Sequence, residues 1–257
     1  MYILSVGNSY SADQQQFVHQ LAKASGADIE VHNAYIGGCT FEKHSEKLAS
    51  GEKAYKHYKN GRVVRKNTTL EYIVRRRKWD YITFQCGTNG KSEITPDRPY
   101  LDKLIDYVRT LYPQAELVYN FSWPDGTDSE RGYLHVAFDG DPQKQYAHIL
   151  NCVREAHDAL SISYVTPGGL AYNYAYPEFG NALHRDGFHM SECGRYLMAC
   201  VWVEFFAGVA PSEDYTPKKK SYKGARGDLP TADECKRLRK YAHKAITEYK
   251  QNGGKTP

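Results

Sequence analysis

No stretch of this chain approaches the ~18 to 20 consecutive apolar residues of a membrane-spanning helix, so nothing in it reads as a bilayer span. It has no C-x-x-C pair either. Its six cysteines, at 39, 86, 152, 193, 200 and 235, stand apart from one another and from any metal-like histidine cluster, which argues for buried thiols and against a zinc site. Charge of one sign is also scarce. The net charge is only +4, and the basic runs Arg75 to Lys78 and Lys218 to Lys220 are too short for a nucleic-acid stripe; they read as the polar end of a helix and a solvated loop. A signal peptide is missing too: Met1 leads straight into an apolar strand pattern. The expectation is a cytoplasmic protein, or a periplasmic or secreted one if a leader has been removed.

What is present describes an ordinary folded chain. With 41% apolar and 25% charged residues over 257 positions, one sizeable core is expected. The reading divides it into a main domain over 1–210 and a loop and helix over 211–257 packed on the same domain.

Strand and helix patterns alternate along most of the length. Short apolar runs predict strands at YILSVGN, DIEVHNAYI, Asp80 to Cys86, Glu116 to Phe121 and Ser161 to Thr166. Between and after them, 3.6-residue periodicity and cap residues predict helices over Asp13 to Ala24, Thr40 to Leu48, Thr68 to Lys78, Tyr100 to Leu111, Pro142 to Ala159 and Ser191 to Phe206. Tyr55 to Lys66 is too polar to assign, either a hairpin or an excursion. Five strands joined by helices imply a parallel sheet with helices on both faces, a three-layer α/β/α sandwich. Ligands bind such sheets at the carboxyl ends of the strands.

The loops at those ends carry four polar features. After the first strand, Gly7-Asn8-Ser9 can expose a hydroxyl beside its own N–H, although Ser and Asn also simply cap helices. After the second, Gly37-Gly38 lets a ligand approach the backbone. After the third, Asn89 in Gly87-Thr88-Asn89-Gly90 offers an uncharged amide donor, or an Asx-turn. Late in the chain, Asp186-Gly187-Phe188-His189 can fold a carboxylate back onto an imidazole and hold it in one tautomer. Each has an ordinary structural explanation alone; together they supply a nucleophile, a base, an orienting acid and oxyanion donors.

This set resembles the SGNH (GDSL-like) hydrolase superfamily, with GNS for GDS, Gly38 for the oxyanion glycine, GTN for GxND and DGFH for DxxH. GNSYS with GGCTFEKH, and RDGFHMSECGRYLMACVWVEFF, look like the DUF4886 group of gut Bacteroidetes. The resemblance runs from Ile3 to about Gly208. It implies a flavodoxin-like fold and ester hydrolysis without a cofactor: Ser9 as nucleophile, His189 as general base, Asp186 as its partner, and Ser9 N–H, Gly38 N–H and the Asn89 side chain as the oxyanion hole. Asn8 and Gly90 depart from the family's Asp residues.

The expected substrate is a short acyl ester, most simply acetyl, on a small molecule or oligosaccharide. Of the many tyrosines, Tyr10, Tyr35, Tyr172, Tyr174 and Tyr176 fall near the loops, as does Trp123, and aromatic faces suit sugar rings; Tyr10, Trp123 and Tyr172 are the candidate substrate contacts. The rivals are a non-catalytic carbohydrate-binding or interaction module, a lipid or thioester hydrolase, and a metal-dependent hydrolase using His135, Asp139 and Asp141, whose residue types equally make turns.

Overall fold

The computed structural model describes residues 1–85, 94–160, 162–221 and 227–254. Five parallel strands form its centre: β1 (Tyr2–Gly7), β2 (Glu30–Tyr35), β5 (Tyr81–Phe84), β6 (Glu116–Asn120) and β7 (Tyr164–Thr166). They lie in the order β2-β1-β5-β6-β7, the doubly wound order in which the chain runs outward from β1 in both directions. Ile3, Leu4, Val6, Val31, Ile82, Leu117 and Val118 are buried, as expected of strands covered on both faces.

Among the described residues the sheet has seven strands, which corrects the expectation of five. The polar stretch after β2 forms an antiparallel hairpin, β3 (Tyr55–Lys59) and β4 (Arg62–Thr68), added to the β2 edge. Its turn is Asn60-Gly61, both with positive φ (49° and 76°), the pairing that a tight two-residue hairpin requires. Most of β4 is exposed and carries Arg62, Arg65 and Lys66. A charged outer strand deters further edge pairing, and this charge hid it from an apolar-pattern reading.

The helices form two layers. On one face α9 (Glu192–Ala207) packs against α1 (Ser9–Gln15), α2 (Val18–Ala24), α8 (Gly168–Phe179) and α10 (Ala232–Gln251); on the other, α3 (Phe41–Ser50) meets α4 (Leu70–Val74) and α5 (Ile94–Leu111), and α5 meets α7 (Pro142–Ala159). A short α6 (Tyr133–Phe138) precedes α7. The single helix expected from Asp13 is two, broken at Gln16-Phe17, and the first begins at Ser9. The helix expected to reach Lys78 stops at Val74.

Nearly every residue of α9 is buried, because its apolar side chains point in all directions and need a second cover besides the sheet. That cover is α10. Cys235, Leu238, Ala242, Ala245, Ile246 and Tyr249 form its buried stripe, and a reciprocal capping box at Thr231 and Glu234 starts it. Among the described residues no helix is long and apolar enough to cross a membrane.

Candidate active site

Asn8 caps α1, so Ser9 is the first residue of that helix, at the carboxyl end of β1. The late Asp186–His189 loop reaches it across the top of the sheet. His189 Nε2 lies 2.8 Å from Ser9 Oγ, and His189 Nδ1 lies 2.8 Å from Asp186 Oδ2. An ionised carboxylate only accepts, so Asp186 holds the ring proton on Nδ1 and leaves Nε2 to accept from the serine hydroxyl.

The loop's own backbone builds this geometry. Asp186 Oδ1 also accepts from His189 N (2.8 Å), which closes a tight turn through Gly187 at φ 79°. A Cβ on Gly187 would come within 2.4 Å of Ser129 Cα, so both conformation and space demand glycine there. Burial raises the Asp186 pKa, but the hydrogen bonds from the His189 side chain and backbone, with the charges of His189 and Arg185, outweigh it and hold the carboxyl well below the ordinary range.

Asn8 explains one departure from the GDS pattern. It is fully buried; its Oδ1 accepts from Tyr10 N (3.0 Å) while its Nδ2 donates to Cys39 O (2.9 Å). The amide therefore ties the Ser9 turn to the glycine loop after β2, a bond that a carboxylate could not donate. Gly38 sits in that loop, exposed, at φ 61°. Cys39 is buried, and burial pushes its thiol up to about 12, which suits a packing residue. Asn89 and Gly90 lie outside the described residues.

The three expected substrate contacts are corrected. Tyr10, Trp123 and Tyr172 are all nearly inaccessible. Tyr10, one position past Ser9 on a helix, turns inward and stacks on Trp123 with ring centroids 4.8 Å apart. The Trp123 indole donates to Phe188 O (2.8 Å), so this pair supports the His189 loop from beneath. Tyr172 packs on Tyr176 and His184. Large aromatic area favours burial over display. The aromatics that do line the cavity of about 620 Å³ opening on Ser9 are Tyr35 and Tyr58. Of the metal alternative, Asp141 caps α7 through Gln143 N (2.8 Å) and Asp139 pairs with Lys144 (2.6 Å), so both carboxylates have structural roles.

Asp13 was not foreseen as part of the site. It is buried one helical turn after Ser9, and its carboxylate binds Arg185 Nη1 (2.9 Å), Arg195 Nη2 (2.8 Å) and Met190 N (3.0 Å). Arg195, 1% exposed, also reaches Glu192 at 2.8 Å. This buried network clamps both sides of the His189 loop onto the helix that carries Ser9. Placing the helix start at Ser9 would have revealed the i, i+4 relation of Ser9 and Asp13; starting it at Asp13 concealed that relation.

Comparison with known proteins follows the same lines. A family model described as "Domain of unknown function (DUF4886)" matches residues 2–232. A DUF4886 family protein from Bacteroides uniformis has a solved structure 27% identical to this chain, with a TM-score of 0.82 over 96% of this chain and 95% of that one. A member of the lipolytic G-D-S-L family from Veillonella parvula is 16% identical, with a TM-score of 0.51 over 80% of this chain and 98% of that one. At that identity the likeness concerns fold alone. No curated protein matches. The family match spans nearly the whole chain, and the α/β fold is similar to that of the G-D-S-L protein: the chain belongs to the DUF4886 family.

Proposed function

We propose that the chain is a serine esterase that works through a covalent acyl-enzyme. The observation that carries this reading is the alignment Ser9 Oγ, His189 Nε2, His189 Nδ1, Asp186 Oδ2, with 2.8 Å at both contacts. His189 takes the proton from Ser9 Oγ as the oxygen attacks the ester carbonyl. The tetrahedral oxyanion is held by the Ser9 and Gly38 N–H groups and, by family resemblance, the Asn89 side chain. Collapse breaks the ester C–O bond, and His189 returns its proton to the departing alcohol. Water, deprotonated by His189, then attacks the acyl carbon and releases the acid and Ser9.

The substrate reading is a short acyl group, most simply acetyl, on a carbohydrate. Tyr35 and Tyr58 on the cavity wall support the sugar. The charged lining, with Asp13, Arg62, Arg185 and Arg195, is a poor bed for a long alkyl chain. The test is the burst of chromophore from p-nitrophenyl acetate. The wild-type chain is expected to show one equivalent per site and Ser9→Ala none; equal release from both would overturn the assignment.

A further inference from the structure

Two cavities meet beside Ser9. The inner one, about 620 Å³, is lined by Ser9, Tyr35, Tyr58 and Arg62 among others. The outer one, about 590 Å³, continues to Tyr215 and Lys218–Lys220. Gln16, Gly61, Arg62, Lys220 and Ser221 line both, so the two are halves of one groove.

Charge is distributed unevenly along it. Close to Ser9 the two guanidinium groups of Arg185 and Arg195 are matched by the carboxylates of Asp13 and Glu192, and Arg62 and Lys220, which line both cavities, lead from there to the outer end. At the outer end the described lining holds the cations Arg62, Lys218 and Lys219 and, of carboxylates, Asp214. The basic run that reads from sequence as a solvated loop is therefore one wall of the groove leading to the serine.

Both walls are fastened. The hairpin tip that carries Arg62 sits on Gln16, so closely that a Cβ on Gly61 would lie 3.1 Å from Gln16 Oε1 and 3.2 Å from Gln16 O, and Asn60 Oδ1 accepts from Val31 N (3.0 Å). On the lysine wall, Ser221 donates to the buried Glu192 through N (3.1 Å) and Oγ (2.7 Å), while Ser212 N donates to Ser25 Oγ (2.8 Å). The two chain segments that carry these cations are thus held in place beside the groove.

We propose that the groove binds an acidic oligosaccharide, with the neutral acyl ester at Ser9 and the carboxylate or sulfate groups of neighbouring sugar units along Arg62 and Lys218–Lys220. This rests on the esterase reading above and adds its substrate class. Anions placed beyond the ester gain from the outer cations, whereas an acid on the acyl group itself would meet the paired charges close to Ser9. Tyr35 and Tyr58 line the inner cavity together with Ser9 and Arg62, rings 5.1 Å apart.

The test compares kcat/KM for partially acetylated oligogalacturonides, acetylated sulfated oligosaccharides and acetylated neutral xylo-oligosaccharides at low and high salt. The expected result is a preference of about tenfold for one acidic series at low salt, fading as salt screens it; the series that shows it names the acid. The double variant Arg62→Glu/Lys218→Glu should abolish or invert the preference. Equal kcat/KM for acidic and neutral series, or a preference that survives charge reversal, overturns the proposal. A second arm needs no turnover: Ser9→Ala protein should bind a labelled unesterified acidic oligosaccharide of one of the two series, and lose it on charge reversal. Failure to bind either acidic series, or equally tight binding of single-stranded DNA, also overturns it. Absence of Ser9-dependent p-nitrophenyl acetate turnover would instead remove the esterase reading, with the binding arm still deciding what the groove holds.

Discussion

Asp13 and Met190, 177 positions apart in sequence, are joined by a 3.0 Å hydrogen bond from the Met190 backbone N–H to the Asp13 carboxylate. Asp13 is one turn from Ser9 and Met190 is next to His189, so this bond and the two arginine pairs beside it set how closely the His189 imidazole approaches the Ser9 hydroxyl. Asp13→Ala would leave Arg195 buried without its main partner, a change of about 3–5 kcal/mol by the usual cost of breaking a buried pair. Urea denaturation should show a midpoint lowered accordingly. A midpoint equal to wild type would show that Glu192 alone suffices for Arg195.

Asp186→Asn tests the orienting acid. The amide can still occupy the turn and accept from His189 N, but it no longer fixes the proton on Nδ1 or stabilises the imidazolium. The expected loss in kcat on p-nitrophenyl acetate is up to ~10⁴-fold, with a far smaller change in KM. A loss confined to KM would make Asp186 a binding residue.

Asn8→Asp recreates the family's GDS spelling and is nevertheless expected to weaken the protein. The side chain would keep its acceptor toward Tyr10 N, lose its donor to Cys39 O, and set a buried negative oxygen against that carbonyl. The expected cost is about 1–3 kcal/mol of stability, with a fall in kcat because the Gly38 loop is released from the Ser9 turn. Calorimetry and steady-state rates check both; a variant as stable and as fast as wild type would leave the amide without a role.

Buried histidines predict how stability depends on pH, and His32 and His57, whose pKa burial also lowers, act in the same sense as His44 and His184. Burial pushes His44 down to about 3 and His184 down to about 4, whereas an unfolded histidine protonates near ~6.5. Between those values the unfolded chain binds protons that the folded one refuses, so stability falls as pH drops from ~6.5 toward ~4, by about 1.4 kcal/mol per pH unit for each ring. Asp186, whose pKa is lowered, adds its own loss only below the ordinary carboxylate range. Urea midpoints at pH 7 and pH 5 measure the slope. Equal midpoints would mean that the rings take up protons inside the fold.

Much of the fold was legible in the sequence because its signals are local. A buried parallel strand must be apolar on both faces, so β1, β2, β5 and β6 stand out within a few residues of their ends, and caps such as Thr40 and Ser191 mark where α3 and α9 begin. The serine, the Asp-x-x-His turn and the glycine pair were legible for a related reason: each occupies a short loop whose position at the strand ends follows from the order of elements. The β3–β4 hairpin was legible only as one of two alternatives, because an exposed edge strand needs no apolar alternation to be stable once β2 offers it hydrogen bonds.

Composition likewise could not tell which aromatics line the cavity beside Ser9. Tyr10 and Trp123 were placed by proximity in sequence, but a helix turns ~100° per residue, so the neighbour of an exposed serine can lie wholly in the core. The sequence by itself determined which elements form, in what order, and which chemical groups stand at their ends, since these depend on contacts within a few residues. Only the tertiary structure decided that Asp13 holds the His189 loop, that α10 covers α9, and that Arg62 and Lys218–Lys220 share a groove with Ser9. Those relations join residues dozens to more than a hundred positions apart, and they exist only once hydrophobic burial has fixed how the layers pack.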